Sequence, residues 1–320
     1  MKVSIIIPVY GVAQWIERCA ESLMRQTYAD IEYIFVDDCT TDDSVEIIRQ
    51  VALRFPDRTD TVRILRHETN RGVAAARNTG TKAATGDAVM HVDGDDYVRD
   101  DMVVRMVEEM ERSVADVVEC GYVKVDEGGE TLVPPVVCGD ETYLRLLLCQ
   151  NLVHNGMWCR LISRNLFTER NIEFMEGVNY GDDFAVIPRV MVHSKKRSVV
   201  NECLYYYNCV NLSSYTHKVD DRHSAQYIQA MNAVSDYIEK CDSGNRYASA
   251  LDVGKVNVLR HIRRYAQDSD ALRAKVKFRP TTTIGRMMGT LMNGKIPLAA
   301  ANVIYLLWRK LLVLKWTMLS

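Results

Sequence analysis

Short apolar runs alternate with amphipathic segments along the first hundred positions. Residues 3–9 are β-branched and apolar at nearly every position, which predicts a strand buried on both faces; residues 33–36, 62–65 and 88–92 repeat the pattern. Between them, residues 13–26 place Trp15, Ile16, Cys19 and Leu23 on one helical stripe. Asp42-Asp43-Ser44 can cap a helix running to about Phe55, and residues 72–84 form an alanine-rich helix. Strands alternating with helices predict an α/β fold, with a mostly parallel central sheet and helices on both faces. Residues 101–180 alternate less cleanly, with helical stretches at 101–113 and 141–152 and strands at 116–125 and 158–162. Gly181-Asp182-Asp183 opens a further helix to 192, residues 199–207 return to β character, and from about Asp221 the pattern is mostly helical.

This order decides where chemistry can sit. In open parallel sheets, ligands bind outside the carboxyl ends of the strands. Asp37-Asp38 and Asp93-Gly94-Asp95-Asp96 each follow a strand immediately, so both acidic clusters face one edge. They would repel each other unless a cation or donor groups lay among them.

Charge adds a second contrast. The chain carries 40 Lys+Arg and 42 Asp+Glu over 320 residues, which excludes a disordered chain or a small disulfide scaffold. Nine basic and no acidic residues follow position 270, so that segment carries +9 and the preceding 270 residues carry −11. Such a tail fits an anionic surface, either membrane or nucleic acid, or else a basic helical face docked on the acidic body. Trp308 and Trp316 beside Arg309, Lys310 and Lys315 suit a helix lying in a membrane interface or a terminal packing helix. The nine cysteines are irregularly spaced without a C-x-x-C pair, which argues against a zinc site or disulfide framework and for a reducing compartment.

Asp93-Gly94-Asp95-Asp96 is the sharpest local signal. Paired carboxylates at a strand end suit a hard divalent cation shared with a diphosphate, and Gly94 would let backbone approach the ligand; the same residues could simply form an acidic turn before the next helix. Asp37-Asp38 could likewise be only a strand-to-helix turn. Asp182-Asp183 could supply a general base or merely favour a helix N-terminus. Arg77 could contact a phosphate, a base or a strand-end aspartate. His91 reads as a core residue, His154, His193 and His217 are isolated, and Tyr205-Tyr206-Tyr207 reads as a strand with aromatic packing.

Taken in order, Val3 through Tyr10, Ser22-Leu23, Gln26-Thr27, Ile34 through Asp42, Asn70, Gly72, Ala76-Arg77-Asn78, Gly80, Gly86-Asp87 and Asp93 through Asp96 resemble an inverting glycosyltransferase of family 2, bacterial cell-surface polysaccharide type. The resemblance covers residues 1–110 closely and implies a GT-A fold. It implies a catalytic domain over 1–220, with a nucleotide-binding half (1–110) and an acceptor-binding half (111–220); the helical pattern beyond it marks a helical extension over 221–320. It implies that Pro8, Val9, Tyr10 and Asp38 line the base pocket and that Arg77, Asp93 and Gly94 bind the nucleotide sugar. Asp95 would hold Mn²⁺ or Mg²⁺, Asp96 and Asp182 would support the site, and Asp183 would be the general base. Ser213 and His217 resemble a loop that closes over the diphosphate.

The implied reaction, of hexosyltransferase type, moves a sugar from a nucleotide-diphosphate donor, a UDP-sugar first, to a glycan or lipid-linked acceptor. The basic tail adds an expected place, the cytoplasm and peripherally the inner membrane face through residues 271–320, with no nucleic acid as partner. Two departures stand out: Gly11 where the family usually has Asn, and Asp182-Asp183 where it usually has Glu-Asp; Cys39 also stands where a small residue is common. A sugar-nucleotide pyrophosphorylase would want a Gly-rich basic loop after the first strand, and Gly11-Val12-Ala13-Gln14-Trp15 stands there instead. A non-catalytic nucleotide-sugar binder would not need Asp38, Asp93, Asp95 and Asp183 together.

Overall fold

A computed structural model describes the chain except for residues 151, 212–218, 279, 281, 294–296 and 319–320. The chain divides into two compact units. The first comprises residues 1–136, 156–177 and 193–214, and the second comprises 137–155, 178–192 and 215–320. The sequence expectation drew a single boundary near residue 220. The second unit also gathers two earlier segments, whose apolar faces pack with its own helices.

The first unit is built on one sheet. Its strands are β1 (Val3–Val9), β2 (Ile31–Asp37), β3 (Val62–Arg66), β4 (Ala88–His91), β5 (Tyr97–Val98), β6 (Val117–Asp126), β7 (Gly129–Val133), β8 (Arg160–Ser163) and β9 (Arg197–Asn208). Their order is β3-β2-β1-β4-β8-β6-β9-β5, with β7 paired to β6. The stretch β3-β2-β1-β4 is parallel, as is β6–β9, while β4–β8, β6–β8, β6–β7 and β5–β9 are antiparallel. The sheet is therefore mixed, and its two longest registers, β6–β9 and β1–β2, are parallel. The two-residue β5 and the hairpin strand β7 lacked the apolar run that marks the others in sequence.

The apolar run of β1 has a direct cause. Val3, Ile5, Ile6 and Ile7 have no exposed surface, because helices cover both faces. Ile5 and Ile7 share a core with Ile16, Leu23, Met102 and Met106. On the opposite face Ile6 meets the helix Val73–Ala83, where a Cβ on Gly80 would lie 2.3 Å from Ile6 Cγ2. The small side of this helix is thus required for close packing on the sheet.

The amino edge of β1 and β2 is locked by a buried carboxylate. Glu32 accepts from the Ser4 hydroxyl at 2.6 Å, from the Thr85 N–H at 2.6 Å and from the Gly86 N–H at 3.2 Å, with Lys2 Nζ at 3.3 Å. Burial alone would raise its carboxyl; the donors from Ser4 and Thr85 and the charge of Lys2 outweigh that and bring it down to about 2.

The second unit is helical, with Asp140–Cys149, Asp182–Met191, Asp221–Cys241, Ala248–Tyr265, Ser269–Lys275, Thr283–Asn293 and Leu298–Thr317. Asp220 and His223 form a reciprocal cap at the start of the third of these. A Cβ on Gly254 would lie 2.3 Å from the Leu148 carbonyl oxygen, so two helices cross there at backbone contact. The tail helix buries Tyr305, Trp308 and Trp316 within this unit. The two tryptophans offered to a membrane interface by the sequence therefore pack inward.

Candidate active site

Parallel pairing of β2, β1 and β4 brings both acidic clusters to one edge, since Asp37 stands opposite Val9 and Asp93 follows β4. At the first cluster the chain satisfies its own carboxylates. Asp38 is buried and accepts from His67 Nδ1 at 2.6 Å, from the Arg71 N–H at 2.9 Å and from the Gly72 N–H at 2.7 Å. Its backbone N–H donates to the Val9 carbonyl at 3.0 Å. Asp37 accepts from the Thr40 N–H at 2.8 Å and pairs with Arg66 at 3.3 Å. Asp38, assigned by resemblance to a base pocket, also ties down the loop that starts the helix Val73–Ala83, where Gly72 takes φ +88°.

The loop after β1 is tied to the same cluster. The Gly11 N–H donates to the Thr40 hydroxyl at 2.9 Å and the Ala13 N–H to Asp42 at 2.9 Å. Burial works against the Asp42 charge, but donors from Ser44, Ala13 and Thr40 win and hold its carboxyl below the usual range. Gly11 lies at φ +66°, a region glycine and asparagine tolerate, which accounts for the exchange of one for the other. Cys39 lies at φ +61°, so a small residue there answers to backbone geometry. Pro8 and Val9 are the last residues of β1, and Tyr10 beyond them is 54% exposed.

Among the described residues, the second cluster is under-neutralised. Arg77, buried on the helix Val73–Ala83, donates to Asp93 Oδ1 at 2.6 Å. Asp96 is buried and accepts from the Tyr205 hydroxyl at 2.6 Å and the Asn208 N–H at 2.7 Å. Asp95 accepts from Asn211 Nδ2 at 2.8 Å. Burial and then the charge of Asp93 push the Asp95 carboxyl up, despite Asn211 and Arg77. Burial, then Asp95 and Asp93, push that of Asp96 up further. Gly94 answers to the protein side of the turn. A Cβ there would meet the Pro8 carbonyl at 3.1 Å and the Val12 and Ile16 side chains at 3.2 and 3.3 Å. Its bareness lets the acidic turn seat against the end of β1.

His91 is fully buried, edge-on to Phe174 at 5.4 Å, and held neutral by burial and by Arg77. The aromatic run behaves as packing with polar tips. Trp158 stacks on Tyr205 at 4.4 Å and on Tyr207 at 5.3 Å, and the Tyr205 hydroxyl both donates to Asp96 and accepts from the Asp93 N–H at 3.1 Å. Sequence reasoning missed His67, Tyr205, Asn208 and Asn211 as partners of the aspartates. His67 directly follows β3, so its place at a strand end was a usable signal. The other three lie over a hundred residues from their partners.

Asp182 and Asp183 belong to the second unit. They open the helix Asp182–Met191 behind Gly181, which takes φ +86°, and Asp182 is buried. Their acidity complements the helix N-terminus. Ser213 and His217 lie outside the described residues.

Comparison with known proteins agrees with this geometry. The family model described as Glycosyl transferase family 2 matches residues 4–170, just over half of the chain. The chain is 35% identical over 236 residues to the uncharacterized glycosyltransferase EpsJ of Bacillus subtilis, covering 70% of this chain and 67% of that protein. S. aureus TarS 1-349 in complex with UDP superimposes with a TM-score of 0.62 at 20% identity, covering 87% of this chain and 76% of that fragment. The mannosyltransferase PcManGT of Pyrobaculum calidifontis, in complex with GDP-Man and Mn²⁺, does so with a TM-score of 0.54 at 18% identity, covering 95% and 87%. The fold is that of the GT-A transferases, and the chain, a glycosyltransferase, belongs to glycosyl transferase family 2.

Proposed function

We propose that the protein transfers a sugar, with inversion, from a nucleotide-diphosphate donor to a hydroxyl of a glycan or lipid-linked acceptor in bacterial surface polysaccharide synthesis. The donor is first of all a UDP-sugar. The observation that carries this reading is the excess of negative charge at residues 93–96. Among the described residues, three carboxylates there have one guanidinium against them, and two carboxyls are pushed up. The UDP complex of TarS and the GDP-Man and Mn²⁺ complex of PcManGT support it.

The donor set fits a hard divalent cation, being all oxygen and short of positive charge. Among the described residues no three His, Cys, Asp or Glu side chains could hold an ion by themselves. Asp95 would therefore share Mn²⁺ or Mg²⁺ with the donor phosphates. When bound, the cation supplies Lewis-acid neutralisation of the departing diphosphate. Arg77 fixes Asp93 beside the donor, Asp96 fixes the turn through Tyr205 and Asn208, and Pro8, Val9 and Tyr10 border the base. Asp183 takes the proton of the acceptor hydroxyl as its oxygen bonds to the anomeric carbon. The bond from that carbon to the diphosphate oxygen breaks, and its electron pair leaves with the nucleotide.

Asp183→Asn tests the assignment. Turnover should fall by about 10²–10⁴-fold, with donor affinity by calorimetry unchanged. Undiminished turnover would remove Asp183 from the reaction. A panel of UDP- and GDP-sugars titrated with Mn²⁺ present identifies the donor.

A further inference from the structure

The helix Leu298–Thr317 is apolar on two faces, and only one is covered. Ala301, Tyr305, Trp308 and Trp316 are buried in the second unit, where the Thr142 hydroxyl donates to the Trp316 carbonyl at 3.4 Å and Arg260 lies over the Tyr305 ring at 5.5 Å. The other face exposes Val303, Leu307, Leu311, Leu314 and Met318, which are 59%, 59%, 67%, 43% and 81% exposed. Their spacing of three and four places them on one stripe. On the preceding helix, Thr283–Asn293, Ile284 and Met287 are exposed as well. Isolated exposed leucines need no explanation, but a stripe of this length marks an interaction surface.

Charge selects the occupant. Lys310 and Lys315 are exposed on the same helix, and no acidic residue occurs after position 270; of the nine basic ones there, Arg273 and Lys277 pair with Asp270 and Asp236. A second copy meeting this face with its own would oppose like charges. A bilayer with anionic headgroups offers both complements, acyl chains for the stripe and phosphates for the lysines. No helix among the described residues is long and apolar enough to cross a membrane, so this one would lie in the interface plane.

We propose that the outer face of the helix Leu298–Thr317 is a docking surface for a bilayer containing anionic lipid. The inference is independent of the donor, the cation and Asp183, because it is read by binding alone. The test is flotation of the full chain with phosphatidylcholine vesicles and with vesicles that also contain phosphatidylglycerol. The chain should float with the anionic vesicles and lose that association at high salt. Leu307→Ser with Leu311→Ser should weaken binding about tenfold or more. Lys310→Gln with Lys315→Gln should weaken it roughly twentyfold on anionic vesicles, at about fivefold per basic residue. Leu132→Ser, an equally exposed apolar position on β7, should change nothing. Failure to bind anionic vesicles, or binding indifferent to both double variants, overturns the proposal. So does a concentration-dependent dimer in sedimentation that Leu307→Ser with Leu311→Ser dissolves without any vesicle binding, which would give the face to a second copy.

Discussion

The two acidic strand ends look alike in sequence and differ in electrostatics. After β2, Asp37 and Asp38 are met by a histidine, an arginine and three backbone N–H groups, all from the chain. After β4, among the described residues, Asp93 has Arg77, while Asp95 and Asp96 accept from neutral donors and their carboxyls are pushed up. A carboxylate whose acceptor sites are filled by neighbouring backbone builds a loop. A carboxylate left short of positive charge inside a sheet edge costs stability until a cation arrives. The same residue pattern therefore yields an anchor in one place and a candidate ligand site in the other.

Substitutions should separate the two. The largest effect belongs to Asp95→Ala, expected to lower metal-dependent turnover by about 10³-fold or more, since Lewis-acid stabilisation is worth several kcal/mol. Its thermal midpoint should hold or rise, and calorimetry with UDP should lose its Mn²⁺ dependence. Retained Mn²⁺ dependence would erase the contrast from one side. Asp38→Ala should instead destabilise by about 3–5 kcal/mol in urea titration, because it strands buried donors. A stable Asp38→Ala protein with weakened nucleotide affinity would make Asp38 a ligand group and not an anchor.

Glu32 extends the anchor class to the opposite edge of the sheet. Its folded carboxyl titrates at about 2, below its ordinary value of 4.5, so its contribution is complete above that ordinary value and is lost as pH falls toward 2. That contribution is roughly 3 kcal/mol. Glu32→Gln should remove this part of the acid dependence between those limits, and an unaltered acid unfolding profile would rule out the lock. The smallest effect is expected at Cys39→Gly, which relieves a left-handed residue beside Asp38 and should change stability by about 1 kcal/mol or less in the favourable direction.

Much of this protein was legible along the chain, and the reason is periodicity. Strands buried on both faces must be apolar throughout, so β1, β2 and β4 declared themselves, and the strand ends located the candidate site. The alanine-rich run over 72–84 announced its helix. β5 and β7 were not legible, because a two-residue strand and an exposed hairpin strand bury too little to constrain composition. Tyr205, Asn208 and Asn211 were not legible as partners of Asp93, Asp95 and Asp96 because pairing across β9 and the turn after it, not local spacing, brings them together. The tail helix shows the same limit. Its composition announced an apolar, basic segment but not which apolar stripe would be covered.

The sequence by itself determined the alternation of strands and helices, the edge at which carboxylates gather, and the charge split between the body and the last fifty residues. These depend on the order of residue types, which local physics reads directly. Tertiary structure decided which carboxylates are satisfied, how closely Gly94 packs on the end of β1, and that Trp308 and Trp316 turn inward while Leu307 and Leu311 stay exposed. Each of those is settled by donors and surfaces contributed from distant parts of the chain, and burial and hydrogen bonding are properties of that assembly.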